Sequence, residues 1–232
     1  ACLVGSEMCI RDRETTEYMR QSLKVWAELG FSFDVVSTGM ILSAEQAALV
    51  SDFCEQSAKK GALVFVDPIM GDEGKLYNGV GEETIAHMRK MVAVADCIVP
   101  NYTEAAYLAD MPYHEDMTEE EARALTIRLH AMGAKSVVVT SAKVDGENCV
   151  VGYDGTEGEF FRIPFDLIPV RFVGTGDIFA AVMLGRLVDG VPLQESTHRA
   201  MDAVRTMIDR NRDKEDKYLG IPIETCLEVL DE

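Results

Sequence analysis

The chain has 232 residues, enough for one large domain or two small ones, and its 47% hydrophobic content is that of an ordinary globular protein with a sizeable core. Its 22 basic residues against 40 acidic ones leave a formal charge of −18, which argues against nucleic acid or anionic membrane surfaces as partners. No apolar run is long enough to cross a membrane, and no basic leader precedes the short apolar start. The 6 cysteines are scattered without zinc or redox spacing and the 4 histidines form no ligand pattern, so a reducing, cytoplasmic setting is expected.

Residues 1–13 show neither helical nor strand periodicity and read as a non-native leader, so they are set apart from a single domain over 14–232. Met19, Leu23, Trp26 and Leu29 then line one face of a helix ending at Gly30. Phe33 to Ser37 reads as a strand, and Ser43 caps a helix through Lys60. Ala62 to Val66 is a continuous apolar strand of the kind buried on both faces. A glycine-rich loop from 67 to 81, a helix to about Ala95 and a short strand at 97–99 follow. Asn101 opens another helix. Thr118-Glu-Glu-Glu121 is a capping box for the next, which ends near Met132. Val137 to Thr140 is again a buried strand. Segments 148–153 and 159–164 form a hairpin turning at Asp154-Gly155. A helix from the turn at 174–176, a long helix over 193–210, a charged connection and a last helix over 223–230 complete the chain. Strands alternating with helices make an α/β fold, a mostly parallel central sheet with helices on both faces. Ligands of such sheets bind at the carboxyl ends of the strands, where Asp67, Asn101, Thr140 and the 174–176 turn all fall.

The most informative stretch is Gly174-Thr175-Gly176-Asp177. A two-glycine turn runs straight into a helix, whose first amides lack internal partners and favour negative charge. A carboxylate repels an anion seated there. The conflict is resolved if Asp177 takes a proton from a hydroxyl while the amides hold an incoming phosphoryl group. An ordinary helix start with an acidic first turn fits the same four residues. Asp67 could hold a hydrated magnesium ion, with Gly71 and Gly74 letting the loop cover a nucleotide. Glu104 could order magnesium water, or it could simply close a capping box with Asn101; both uses compete for one carboxylate. Thr140 and Ser141 could contact phosphate or begin a turn. No Walker A spacing is present.

Taken together, Val66-Asp-Pro-Ile-Met-Gly71, Val99-Pro-Asn-Tyr-Thr-Glu-Ala105, Val138-Val-Thr-Ser141 and Phe172-Val-Gly-Thr-Gly-Asp-Ile-Phe-Ala-Ala181 resemble the ribokinase-like superfamily, and within it the pyridoxal kinases. The resemblance covers the chain from about Thr15 onward. It implies transfer of the ATP γ-phosphate to the 5′-hydroxymethyl of pyridoxal, pyridoxine or pyridoxamine. Asp177 would be the base, and Gly174, Thr175 and Gly176 the anion hole. Asp67 and Glu104 would order Mg2+, Asn101, Thr140 and Ser141 would sit near the phosphates, and Val99 and Phe172 would lie along the nucleotide. Homodimers are implied as well. The family pattern starts with a further strand and a lid that this chain lacks, which should leave apolar surface uncovered and the vitamin side incomplete. A hydroxymethylpyrimidine or other small-alcohol kinase, and a nucleotide-binding fragment without turnover, are the competing expectations.

Overall fold

A computed structural model describes residues 14–230. The leader assigned to 1–13 lies outside the described residues. The chain divides after Arg162 into two compact units, which are taken separately.

The first unit is built on a six-stranded sheet in the order β1-β2-β5-β6-β7-β8. Its strands are β1 (Val35–Thr38), β2 (Leu63–Val66), β5 (Cys97–Ile98), β6 (Ser136–Val144), β7 (Glu147–Asp154) and β8 (Glu159–Pro164), the last running across the division. The first four are parallel, and β7 runs antiparallel to β6. The expected fold class, α/β around a mostly parallel sheet, is therefore the observed one. Helices α1 (Thr16–Glu28), α2 (Ala44–Ala58), α3 (Glu82–Val92), α4 (Tyr102–Ala109) and α5 (Glu119–Ala131) follow one another as touching neighbours. The core beneath them joins Val64, Val66, Ile98, Val137 and Val139 of the strands to Met88, Leu108, Leu125 and Leu129 of the helices. The uninterrupted apolar runs in β2 and β6 reflect this burial.

Local capping chemistry sets the helix starts. Ser43 accepts from the Gln46 amide, and Asn101 and Thr118 each close a full capping box, with Glu104 and Glu121 respectively.

Three sequence expectations are corrected here. The 67–81 segment is not a plain loop, because β3 (Gly71–Asp72) and β4 (Lys75–Leu76) form a small antiparallel hairpin within it. The strand expected to stop at Thr140 continues to Val144 and turns through Asp145-Gly146 into β7. Its two neighbours differ in length. The parallel ladder with β5 ends at Val137, with one further bridge from Thr140 to Asn101, while the ladder with β7 runs on to Val144. Helix α1 does not bury the expected face: Leu29 is 66% exposed, and Trp26 packs only sideways, 5.4 Å from Phe33 and 6.0 Å from Phe53 between ring centres.

In the second unit, α6 (Thr175–Val188) and α7 (Leu193–Arg210) form a helical hairpin across a short connection. Phe172, Ile178, Ala203, Met207, Ile221, Cys226 and Val229 make its core. The helix expected over 223–230 is instead two 3₁₀ turns, Ile223–Thr225 and Leu227–Leu230. The Thr225 hydroxyl bonds the Pro222 carbonyl at 2.8 Å, and Cys226 leaves helical geometry at φ −130°, so the α pattern never propagates.

The Thr118 cap generates a direct test. Thr118→Ala leaves the Glu121 amide without its side-chain acceptor, and urea denaturation should show a loss of about 1 kcal/mol.

Candidate functional site

In the first unit the carboxyl ends of β2 and β5 lie side by side and lead into Asp67 and Asn101, and Thr140, inside β6, is bridged to Asn101. Backbone bonds fix the row: Asp67 N to Thr38 O at 3.1 Å, Val99 N to Val66 O at 3.0 Å, and Thr140 N to Pro100 O at 3.0 Å. Asp67 is half-buried.

Glu104 is the unusual member. It is 3% exposed, one turn into α4. Its Oε2 accepts from the Asn101 amide at 2.8 Å and its Oε1 from the Met70 amide at 2.9 Å. The capping role and the reach toward the 67–70 segment are thus both real, one oxygen each. Burial pushes its carboxyl up to about 8, the charge of Asp67 adds to the rise, and the amides of Met70, Asn101 and Gly71 offset part of it. A buried carboxyl whose ionisation is made costlier by a neighbouring Asp67 charge forms with it a donor set suited to a hard divalent cation, which needs only one or two carboxylates beside water and phosphate oxygens. Among the described residues no cluster of three or more His, Cys, Asp or Glu side chains could hold a metal, so a third protein carboxylate is not on offer.

Asn101 serves the cap through its Oδ1, and its Nδ2 donates to the Gly71 carbonyl at 2.8 Å. Thr140 and Ser141 do not end a strand. They are the two residues that oppose one on β7, where the register breaks between Val139 and Ala142, and Ser141 sits at φ +55° and is exposed. Such a bulge re-aims side chains beside a site. Val99 is 5% exposed and contributes packing and backbone rather than an open face.

In the second unit Gly174 caps α6 at φ +83°, a conformation that glycine adopts at no steric cost. No side chain at the cap accepts from the first-turn amides, although Ser, Thr, Asp or Asn would normally do so. Asp177 is exposed in that first turn, and its Oδ2 folds back to within 3.6 Å of where a Cβ on Gly174 would stand. Thr175 is half-buried and Gly176 exposed. Phe172, expected along the nucleotide, is 3% exposed inside the unit's core, with the Lys217 ammonium 5.9 Å from its ring centre. Its ring is packing, and only its backbone neighbours remain open to such a role.

A family profile described as phosphomethylpyrimidine kinase matches residues 13–220. The chain belongs to the phosphomethylpyrimidine kinase family. Within that family it is 33% identical over 171 residues to the pyridoxal kinase of Arabidopsis thaliana, a match covering 70% of this chain and 53% of the relative. It is 35% identical to the pyridoxal kinase of Sus scrofa over 66% of this chain and 52% of that one. The chain therefore spans about half the length of the curated relatives it matches. Its fold superposes on a Bacteroides thetaiotaomicron protein that carries the phosphomethylpyrimidine kinase name provisionally and was crystallised with pyridoxal. That superposition has a TM-score of 0.89 and 32% identity, over 95% of this chain and 78% of the other. These matches agree with the ribokinase-like resemblance read from the motifs.

Local periodicity gave no sign of Thr38, whose hydroxyl is buried without a hydrogen-bond partner at the end of β1, or of Thr103 and Tyr107, which bond the backbone of Gly74. Thr103 and Tyr107 make these bonds to a residue about thirty positions away in the chain.

The raised Glu104 carboxyl predicts a pH-dependent stability. Its folded value of about 8 lies above the ordinary 4.5, so the native state holds the proton more tightly. That contribution is full below the ordinary value and is lost as pH rises toward the folded one, so stability should fall between about pH 5 and pH 8. Glu104→Gln should flatten this slope and lower stability at the acidic end, where a carboxamide offers one oxygen to two amide donors, with the deficit shrinking as pH rises. Denaturant midpoints measured across this range give the answer; an unchanged slope in the variant would assign it to another group.

Proposed function

We propose that this chain carries phosphotransfer residues of a vitamin B6 salvage kinase, acting with ATP on the 5′-hydroxymethyl of pyridoxal, pyridoxine or pyridoxamine. The observation that carries the reading is the start of α6: a left-handed glycine cap, first-turn amides without a side-chain acceptor at the cap, and a carboxylate three residues in. The identity to pyridoxal kinases and the pyridoxal seen with a 32% identical relative support the choice of acceptor.

The amides of Gly174, Thr175 and Gly176 would stabilise charge on the transferring phosphoryl group, and Asp177 would accept the proton of the attacking hydroxyl. From the first unit, Asp67 and Glu104 would hold Mg2+, with Asn101, Thr140 and Ser141 near the phosphates. The metal neutralises phosphate charge when bound. Protein dipoles and a cation must do this, because the net charge of −18 repels ATP at long range. Glu104 would have to give up its proton to ligate, so magnesium should bind more tightly at higher pH and lower the pH at which that proton leaves.

A cytoplasmic homodimer is part of the proposal. Four cysteines among the described residues, at 54, 97, 149 and 226, are unpaired and buried, which suits a reducing compartment. No described helix is long and apolar enough to cross a membrane. Sedimentation velocity reads the oligomeric state.

A hydroxymethylpyrimidine acceptor is the second reading, favoured by the description of the matching family profile. A panel of B6 vitamers and hydroxymethylpyrimidine with ATP decides between them, and transfer to the pyrimidine alone would replace the B6 assignment. Asp177→Asn should reduce transfer by roughly 10²- to 10⁴-fold while leaving nucleotide binding intact, measured by turnover and calorimetry. Unchanged turnover would remove Asp177 as the base.

A further inference from the structure

The turn between β3 and β4 is gripped on three sides. Glu73 and Gly74 both take positive φ, 52° and 76°, as a two-residue primed hairpin turn requires. The Gly74 amide donates to Thr103 Oγ1 at 2.8 Å, and the Gly74 carbonyl accepts from Tyr107 Oη at 3.4 Å. Its bare Cα faces Tyr113, where a Cβ would lie 3.0 Å from two ring carbons. Tyr113 is itself held, stacked 4.8 Å from Tyr102, whose hydroxyl accepts from the His114 amide at 3.0 Å. Asn101 and Glu104, on the same stretch of α4, bind the Gly71 carbonyl and the Met70 amide. One short helix and its cap therefore hold four backbone groups of residues 70–74, beginning three residues beyond Asp67.

We propose that Thr103 and Tyr107 are positioning residues for the nucleotide. They set the hairpin in its working place before any ligand arrives, so that it does not have to close over the phosphates. The ordering entropy of residues 70–76 is then lost on folding rather than on binding, which raises affinity without any direct contact from Thr103. The inference rests on the kinase reading above for the identity of the ligand.

Hydrogen exchange of the hairpin and ATP kinetics test it together. Thr103→Val keeps the shape and removes the acceptor, Thr103→Ser keeps the acceptor, and Tyr107→Phe removes only the second hydroxyl. In Thr103→Val the amides of 71–76 should exchange about three- to tenfold faster. The KM for ATP should rise several-fold with kcat little changed, and Thr103→Ser should restore both. Tyr107→Phe should give a smaller shift in the same direction. Unchanged hairpin exchange in Thr103→Val overturns the clamp. So does a wild-type hairpin that is unprotected until ATP is added, because closure on binding would then be its mode. Faster exchange with unaltered ATP affinity overturns the positioning role. Intact ATP affinity that Thr103→Val weakens, with no transfer to any acceptor, upholds the clamp and counts against the kinase reading alone.

Discussion

A buried carboxyl group at Glu104 ties the first unit's candidate site together. A charge removed from water is costly unless donors surround it, and here two backbone amides approach, one on each oxygen. One belongs to the start of α4 and the other to the segment leaving β2, so the group cannot be satisfied unless both arrive. Met70, whose amide is one of the donors, is itself fully buried. Asp67 stands close enough to raise the carboxyl further. The same contacts that close the helix cap therefore place two acidic groups beside one another, which is an arrangement that a divalent cation relieves.

The sheet supplies the platform. Parallel strands end in register, so backbone bonds from β2 to β5 and from β5 to β6 bring residues distant in sequence to one edge. Strand β6 satisfies two different neighbours, a short parallel one and a longer antiparallel one. The mismatch is absorbed in a bulge at Thr140 and Ser141. This is why two hydroxyl residues sit at the end of one ladder and in the middle of another. The hairpin that follows Asp67 is hydrogen-bonded to α4 and its cap through Asn101, Thr103 and Tyr107.

At a net charge of −18, an anionic ligand needs local positive potential to bind. The second unit offers a helix start whose cap residue lacks a side chain, so its amides keep their capacity for an anion. Membership of the phosphomethylpyrimidine kinase family and likeness to pyridoxal kinases fit both features, each read within its own unit.

Element types, capping boxes and the fold class were determined by the sequence itself, because they rest on short-range chemistry. Asn101 with Glu104, Thr118 with Glu121, and Ser43 with Gln46 all interact within three residues. Asp67 directly after an apolar strand, Asn101 at a helix cap and Gly174 before a helix stood out by their local setting, whereas Thr140, expected to end a strand, lies in a bulge inside β6. Tertiary structure alone decided what depends on partners far along the chain. It extended β6 past Thr140 because β7 was there to pair with it, and it turned the 223–230 segment into 3₁₀ turns. It buried Phe172 in a core, left Leu29 in solvent, and gave Glu104 a second donor from Met70, 34 residues away. Burial and long-range hydrogen bonding have no local signature, so the carboxyl's raised proton affinity and the grip of Thr103 and Tyr107 on Gly74 exist only once the chain has folded.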